Sequence, residues 1–464
     1  MEISRTVFVI VIAAASGLAQ MTGAGSLRDP RMSGGQSQGE PVIQPWLAVS
    51  GSYNTPIDTY PGEPDDIYRS AGVSGGLSMV RPFHRSTVVL GYSGSAYRYF
   101  GLNGNHNQRD WLYSNVVNLS VGTQLSRRLT LDIGEFAGAT NGGYGYSSWA
   151  VAGLPGGILG SMGVASGSLN GGNGIPPGAT TNNPLENNLV DSTSTYTMTY
   201  FSTTSASLGV LLSQRTMLSF GGSAYLARRP DYSFSDTNGY TGNVSMSTYW
   251  TKRFLTFANY SYTSYDYINS IGGSNINSFS VGTQYQLGQH DMLSGSLGAS
   301  FVDSHFLSTI LLPPDVAKLL GVPVLYYIAD VNQHFITGSA SYNHSFQRGG
   351  FGLSCGSGVT PGNDLLLLTR RESCGLYLNG TITRRMSVSA LAGALREDGL
   401  AQAGTRYQTF NTGAVFSYRF WRGVSFTAGA SYYKNYIKPS TSASSYVNAN
   451  VGLHWSPEGG LKLF

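Results

Sequence analysis

The residues able to do chemistry are few and poorly spaced for it. The seven histidines are His84, His106, His290, His305, His334, His344 and His454. Only His334 and His344 share one continuous run, and ten residues of extended chain separate them by roughly 33 Å, too far to share a metal ion. Gly72-Val73-Ser74-Gly75-Gly76 matches G-x-S-x-G, but it lies inside a Gly/Ser strand pattern with no helix following. The strand-to-helix elbow that would expose a nucleophile is therefore missing. Asp58, Glu63, Asp65 and Asp66 could offer carboxylates to a divalent cation, although a solvated loop accounts for them more simply. No phosphate-binding Gly loop, CxxC pair or nucleic-acid signature occurs. The chain is read as no enzyme, with no cofactor and no metal site.

The elements that carry these residues are more informative. In Phe279, Val281, Thr283, Tyr285 and Leu287 one side of a strand is mostly apolar, while Ser278, Ser280, Gly282, Gln284 and Gln286 between them are small or polar. After Gly288-Gln289-His290-Asp291 the alternation resumes with Leu293, Gly295, Leu297, Ala299 and Phe301 against Ser294, Ser296, Gly298 and Ser300. Two such runs across a tight turn make a β-hairpin. Its polar side carries almost no charge, which suits a wet interior better than a free surface. An apolar outside around a polar inside is stable in lipid, and the β structure that survives there is a closed barrel without unpaired edges.

Composition agrees. Charged residues make up 11% of the 464, against roughly a quarter in ordinary soluble proteins. Glycine numbers 61 and tyrosine 30. A secreted β-solenoid or adhesin could share that richness, so the hairpins decide. The net charge of +4 is accounted for by basic turns. Arg5, the apolar run Val7 to Ala15 and the small residues Ser16-Gly17-Leu18-Ala19 follow the order of a secretory signal peptide, residues 1 to 19, with cleavage after Ala19. Residues 20 to 42 read as a flexible periplasmic lead-in, and 43 to 464 as the barrel.

Eighteen period-two runs are counted between 43 and 456, with sixteen as the alternative. Connections alternate in type. Every second one is short and nearly always basic, as at Arg81 to Arg85, Arg127-Arg128, Arg215, Lys252-Arg253, Arg348, Arg384-Arg385 and Arg422. The others are long, including 140 to 195 and 304 to 330. Short turns on one side and long loops on the other predict an all-β fold, a closed antiparallel transmembrane β-barrel with periplasmic turns and extracellular loops. Basic turns would sit at phospholipid headgroups. Aromatics crowd strand ends, Tyr97, Trp111, Tyr113, Tyr265, Tyr267, Tyr432, Tyr433 and Tyr436 towards the loops and Trp250, Phe254, Phe420, Trp421 and Trp455 towards the turns, and predict two interfacial belts. Val447, Ala449, Val451, Leu453 and Trp455 mark the last lipid-facing strand, leaving a short tail to Phe464.

The two cysteines, Cys355 and Cys374, lie symmetrically about the 359 to 371 connection, so a symmetric hairpin register places them opposite one another and predicts a disulfide. Two free thiols remain the alternative.

On this architecture, and without a diagnostic motif, residues 43 to 464 resemble the Gram-negative outer-membrane porins and related porin-like barrels. The resemblance implies a bacterial outer-membrane location, lipid and the barrel-assembly machinery as partners, and passive diffusion of small, mostly uncharged hydrophilic solutes. It leaves a homotrimer open. No nucleic-acid partner is expected. Polysaccharide export or a structural barrel is the alternative, a barrel-embedded hydrolase a more distant one. Within 140 to 195 the segments around Trp149, Leu154, Ile158, Leu159 and Met162 are too apolar for a loop bathed in water. Porins fold their third extracellular loop inward, and the same is expected here, with Pro314 to Gly321 as a short helix beside it. Capping the barrel from above, or meeting a neighbouring subunit, is the competing reading for both loops.

Overall fold

The structure, a computed structural model, describes residues 42–58, 68–101, 111–140, 198–228, 230, 236–268, 272–322, 324–360, 369–400, 406–438, 443–457 and 461–462. The expected signal peptide and residues 20 to 41 of the expected lead-in fall outside the described residues, and Val42 already belongs to the first strand. In chain order the strands are β1 Val42–Asp58, β2 Tyr68–Pro82, β3 Ser86–Gly101, β4 Trp111–Ser126, β5 Leu129–Thr140, β6 Thr199–Leu211, β7 Thr216–Arg228, β8 Thr237–Tyr249, β9 Phe254–Tyr267, β10 Gly272–Gln286 and β11 Asp291–Leu311. The helix α1 Pro314–Leu320 follows, then β12 Val324–Phe346, β13 Gly349–Thr360, β14 Thr369–Thr383, β15 Met386–Gly399, β16 Arg406–Trp421, β17 Val424–Lys438, β18 Ala443–Trp455 and the two-residue β19 Leu461–Lys462.

Each of the eighteen long strands pairs antiparallel with its neighbours in sequence, and β1 closes the sheet on β18 from Leu47↔Trp455 to Thr55↔Val447. Eighteen long strands form one closed barrel, as the alternation predicts. The tail is more than a tail: Leu461 and Lys462 pair with Ile43 and Val42 of β1. Below that pairing, Ser456 donates from its backbone to the Gly423 carbonyl at 2.7 Å and from Oγ to the Pro45 carbonyl at 3.2 Å. Gly423 has φ 73°, and a Cβ there would stand 2.5 Å from the Ser456 carbonyl oxygen, so this corner of the seam requires glycine.

The short turns have a local cause. In Ser126-Arg127-Arg128, Ser213-Gln214-Arg215, Thr251-Lys252-Arg253 and Thr383-Arg384-Arg385 the hydroxyl accepts the backbone N–H of the arginine two residues on, at 3.1 to 3.3 Å. That side-chain bond replaces a backbone turn, and the cation after it projects from the end of the barrel.

The two faces of the sheet separate as period two requires. Phe279 is 50% exposed and Phe301 57%, while Ser300 beside it is 3% exposed. The same outward phase holds Leu47 and Val49, Val73 and Leu77, Val117 and Leu119, and Leu376 and Leu378. At the turn side Trp250, Phe420, Trp421 and Trp455 of the expected aromatic belt are exposed, while Phe254 is half-buried with its ring edge-on to Tyr285. At the opposite side it is only partly so. Trp111, Tyr113 and Tyr436 are exposed, whereas Tyr97, Tyr265 and Tyr267 are buried, because they share phase with the inward Ser93, Ser95 and Thr263. Tyr433 lies in the same inward phase, level with Ser431.

The expected 304 to 330 loop is also mostly strand. β11 and β12, 21 and 23 residues long, pair continuously up to Leu311↔Val324. They raise a hairpin beyond its neighbours, with α1 in its tip. That helix has Pro314 in its first turn and Gly321 in the left-handed conformation after its last, as the sequence predicts.

Candidate functional site, the lumen wall

The inward face is a wall of hydroxyls and amides. Across strand pairs its side chains bond to one another: Ser52 to Ser70 at 2.8 Å, Ser219 to Ser245 at 2.5 Å, Thr241 to Thr263 at 3.2 Å and Ser278 to Ser300 at 2.7 Å. Ser294 meets Ser341 and Ser296 meets Ser339, both at 2.7 Å. Directly opposed residues lie close enough for such bonds, so each hydroxyl is part satisfied by its neighbour and keeps capacity for water or a solute. Tyr377 donates to Asn343 Oδ1 at 3.0 Å on the same face.

Charge is sparse there. Tyrosine aside, and among the strand residues whose side chains are described, the ionisable groups that face inward are Asp132, Arg371, Glu397, Arg419 and His454. Arg371 and Glu397 face each other across β14 and β15, Nε to Oε1 4.0 Å, with Glu397 1% exposed. Tyr407 lies across from Glu397 on β16. Arg419 donates to the Arg384 carbonyl at 2.9 Å at the turn end, and His454 stacks on Trp46 with ring centroids 6.1 Å apart beside the closure seam.

Two apolar patches interrupt the wall near the long-connection end. Val116, Phe201, Tyr225 and Ala227 are buried together, with Phe136 packed on them and its ring centroid 5.5 Å from that of Phe201. Tyr265, Ile276, Val302 and Val359 form the second, with Phe335 and Leu400 against it. The first lies on β4 to β7, at the roots of the connection between β5 and β6.

The sequence-derived candidates divide plainly. Cys355 and Cys374 are direct register partners, Cα 4.0 Å apart, joined by a disulfide; they stand on the outward face in phase with Leu353 and Leu376. Trp149, Leu154, Ile158, Leu159 and Met162 lie outside the described residues. Ser74 of the G-x-S-x-G match is a buried lumen residue within β2. His344 faces outward at the turn end, Nδ1 2.7 Å from Asp291 Oδ1, and Tyr342 donates to the same oxygen at 2.6 Å. Among the described residues no three His, Cys, Asp or Glu side chains converge as a metal site. Of the acidic group only Asp58 is described, as the last residue of β1.

Glu135 is a further ionisable residue on the outward face. It is outward, opposite Leu119 on β4 and Thr204 on β6, and its carboxylate accepts hydrogen bonds from Ser202 Oγ at 2.6 Å and from Thr204 Oγ1. The period-two phase alone would have found it, since Leu131, Ile133 and Glu135 share a side.

No protein-family model and no curated protein matches this chain. Among solved structures it is similar to OccK7 (OpdD) of Pseudomonas aeruginosa, 9% identical over 91% of this chain and 99% of that one, TM-score 0.45. It is also similar to a BenF-like porin from Pseudomonas fluorescens Pf-5, 9% identical over 89% and 98%, TM-score 0.42, and to the ferric-catecholate import receptor Fiu of E. coli K12, 10% identical over 87% and 81%, TM-score 0.39. Similarities of this size carry no weight for function. By its own closure, register and inverted polarity the chain is a closed eighteen-strand antiparallel β-barrel of the transmembrane kind, apolar outside and polar within.

Proposed function

We propose that this chain is an outer-membrane channel for passive diffusion of small, mostly uncharged hydrophilic solutes. The observation that carries the reading is the lumen wall, whose inward positions are chiefly Ser, Thr, Gly, Asn and Gln, with a handful of ionisable groups. Eighteen strands enclose a space wide enough for water and solutes. A wall of paired hydroxyls offers a sugar or polyol replacement hydrogen bonds without the fixed field that selects ions. An anionic polymer would need many more inward cations than Arg371 and Arg419. The basic turns face the periplasm and the long connections the exterior, and the assembly machinery inserts the barrel.

The segment 140 to 195 serves as constriction. Its apolar residues Trp149, Leu154, Ile158, Leu159 and Met162 need cover, and the inner wall offers the apolar patch of Val116, Phe136, Phe201 and Tyr225 at the roots of that connection. Burial of apolar surface drives such a fold-in at about 25 cal/mol per Å². Single-channel recording of the refolded protein in a planar bilayer tests the channel: discrete conductance steps with a reversal potential near zero in a salt gradient are expected, and an electrically silent barrel would overturn it.

A further inference from the structure

Charge on the outward face is distributed unevenly around the barrel. On β14 to β16 an alternating ladder runs across three strands. Arg370 Nη2 lies 2.8 Å from Glu372 Oε1, Arg396 Nη1 3.7 Å from Glu372 Oε2 and Arg396 Nη2 2.9 Å from Asp398 Oδ2, and Arg406 Nε bonds Asp398 Oδ1. Arg406 is directly opposite Lys438 on β17, and Phe410 opposite Lys434, whose Nζ is 5.0 Å from the Tyr436 ring centroid. All are in the outward phase that holds Leu376, Leu378 and Phe410. Five cations and two carboxylates make this sector basic.

Its height is set by the strands. Met386 to Arg396 is ten residues, which at about 3.3 Å per residue and a tilt of some 40° rises about 25 Å, the height of the apolar band of such barrels. Between them Val388, Ala390, Ala392 and Ala394 face outward without a charge. The ladder therefore begins where hydrocarbon ends. At the corresponding height on β9 to β12 the described outward residues include Asp266, Asn275, Asp303, His305, Asp330, Asn332 and His334, with no lysine or arginine.

We propose that the β14 to β17 rim binds the phosphate-bearing headgroup of an outer-leaflet lipid, an inference that rests on the outer-membrane reading above. Guanidinium groups match phosphate oxygens in two-point contacts. The carboxylates of Glu372 and Asp398 hold Arg396 from both sides, and the ladder keeps one positive charge in excess while Lys434 and Lys438 add two. Lysine and arginine stems can lie on the apolar belt while their heads reach phosphate. Acyl chains of the same lipid would lie along the smooth Ala390, Ala392 and Ala394 face below. The neighbouring β9 to β12 rim, separated from this sector only by β13, carries three aspartates and would repel the same headgroup.

The test uses the full folded protein in zwitterionic detergent, with diphosphoryl lipid A as the probe and native mass spectrometry as readout. The parent should retain diphosphoryl lipid A in preference to the same lipid stripped of its phosphates. The triple variant Arg406→Gln, Lys434→Gln, Lys438→Gln should bind it about 100-fold more weakly, at some fivefold per cation, while Lys434→Arg with Lys438→Arg should keep it. Equal retention of the phosphate-free lipid, unchanged binding by the triple variant, or displacement by millimolar inorganic phosphate would each overturn the proposal. Heat-modifiable migration of unboiled parent and variants separates this from the barrel reading: a parent lacking it would contradict the transmembrane fold itself.

Discussion

Glu135 stands directly across the β4–β5 ladder from Leu119, and Leu119 is the midpoint of the outward run from Tyr113 to Leu125. A carboxylate thus faces outward at the middle of the apolar belt, held by Ser202 and Thr204. Ionisable side chains at that depth are costly, lysine and arginine by about 2–4 kcal/mol and glutamate by less. Glu135→Gln, whose amide accepts from one hydroxyl and donates to the other, should raise folding stability in phosphatidylcholine vesicles by about 1 kcal/mol, and Glu135→Lys should lower it by about 2–4 kcal/mol. Urea titrations in vesicles read both. A glutamine variant that loses stability would show that the carboxylate itself is needed on this face.

The Cys355–Cys374 bridge sits outside the lumen, so it should matter for stability and not for passage. Its sequence separation of 19 gives an upper bound of about 3 kcal/mol in the chain-entropy model, reduced because the hairpin already pairs these residues. The double serine variant should unfold at lower denaturant and conduct like the parent. Two alkylatable thiols in unreduced protein would contradict the bridge.

Removing residues 150 to 170 should raise single-channel conductance severalfold and widen the size range of sugars that enter. Phe136→Ser with Phe201→Ser should shift conductance in the same direction by loosening the apolar patch to which the segment is assigned. Unchanged conductance in a folded deletion variant would leave selectivity to the wall alone.

Orientation follows from the turns. Tags inserted at Asn269 and Pro439 should be labelled on intact cells, and tags at Arg128 or Arg385 only after permeabilisation. The reverse pattern would invert the barrel.

Much of this molecule was legible because β period two is a local property. Phe279 and Ser280 declare opposite faces by adjacency alone, and the symmetric spacing of Cys355 and Cys374 around one turn fixed their register. Where the reading erred, the missing information was phase or distance. Tyr97 and Tyr265 looked like belt residues because they lie near strand ends, yet counting by twos from Ser93 or Thr263 puts them inside. Leu307 to Leu311 and Val324 to Ile328 lack clear alternation, so the sequence predicts a loop where the extended β11–β12 hairpin stands. The β19 pairing joins Leu461 to Ile43, a contact between the two ends of the chain that no local pattern announces. The apolar wall patches emerge only when four or five strands are set side by side. The constriction residues from Trp149 to Met162 lie outside the described residues and remain a proposal.

The central claim is that the wall passes neutral solutes and does not select by charge. Swelling of liposomes reconstituted with the full protein measures it most directly, comparing arabinose and glucose with gluconate and glucosamine at matched osmolarity. The lumen described here predicts rapid swelling with the neutral sugars, falling with solute size, and similar rates for anionic and cationic analogues. Swelling with only one charged class, or none with arabinose, would contradict it.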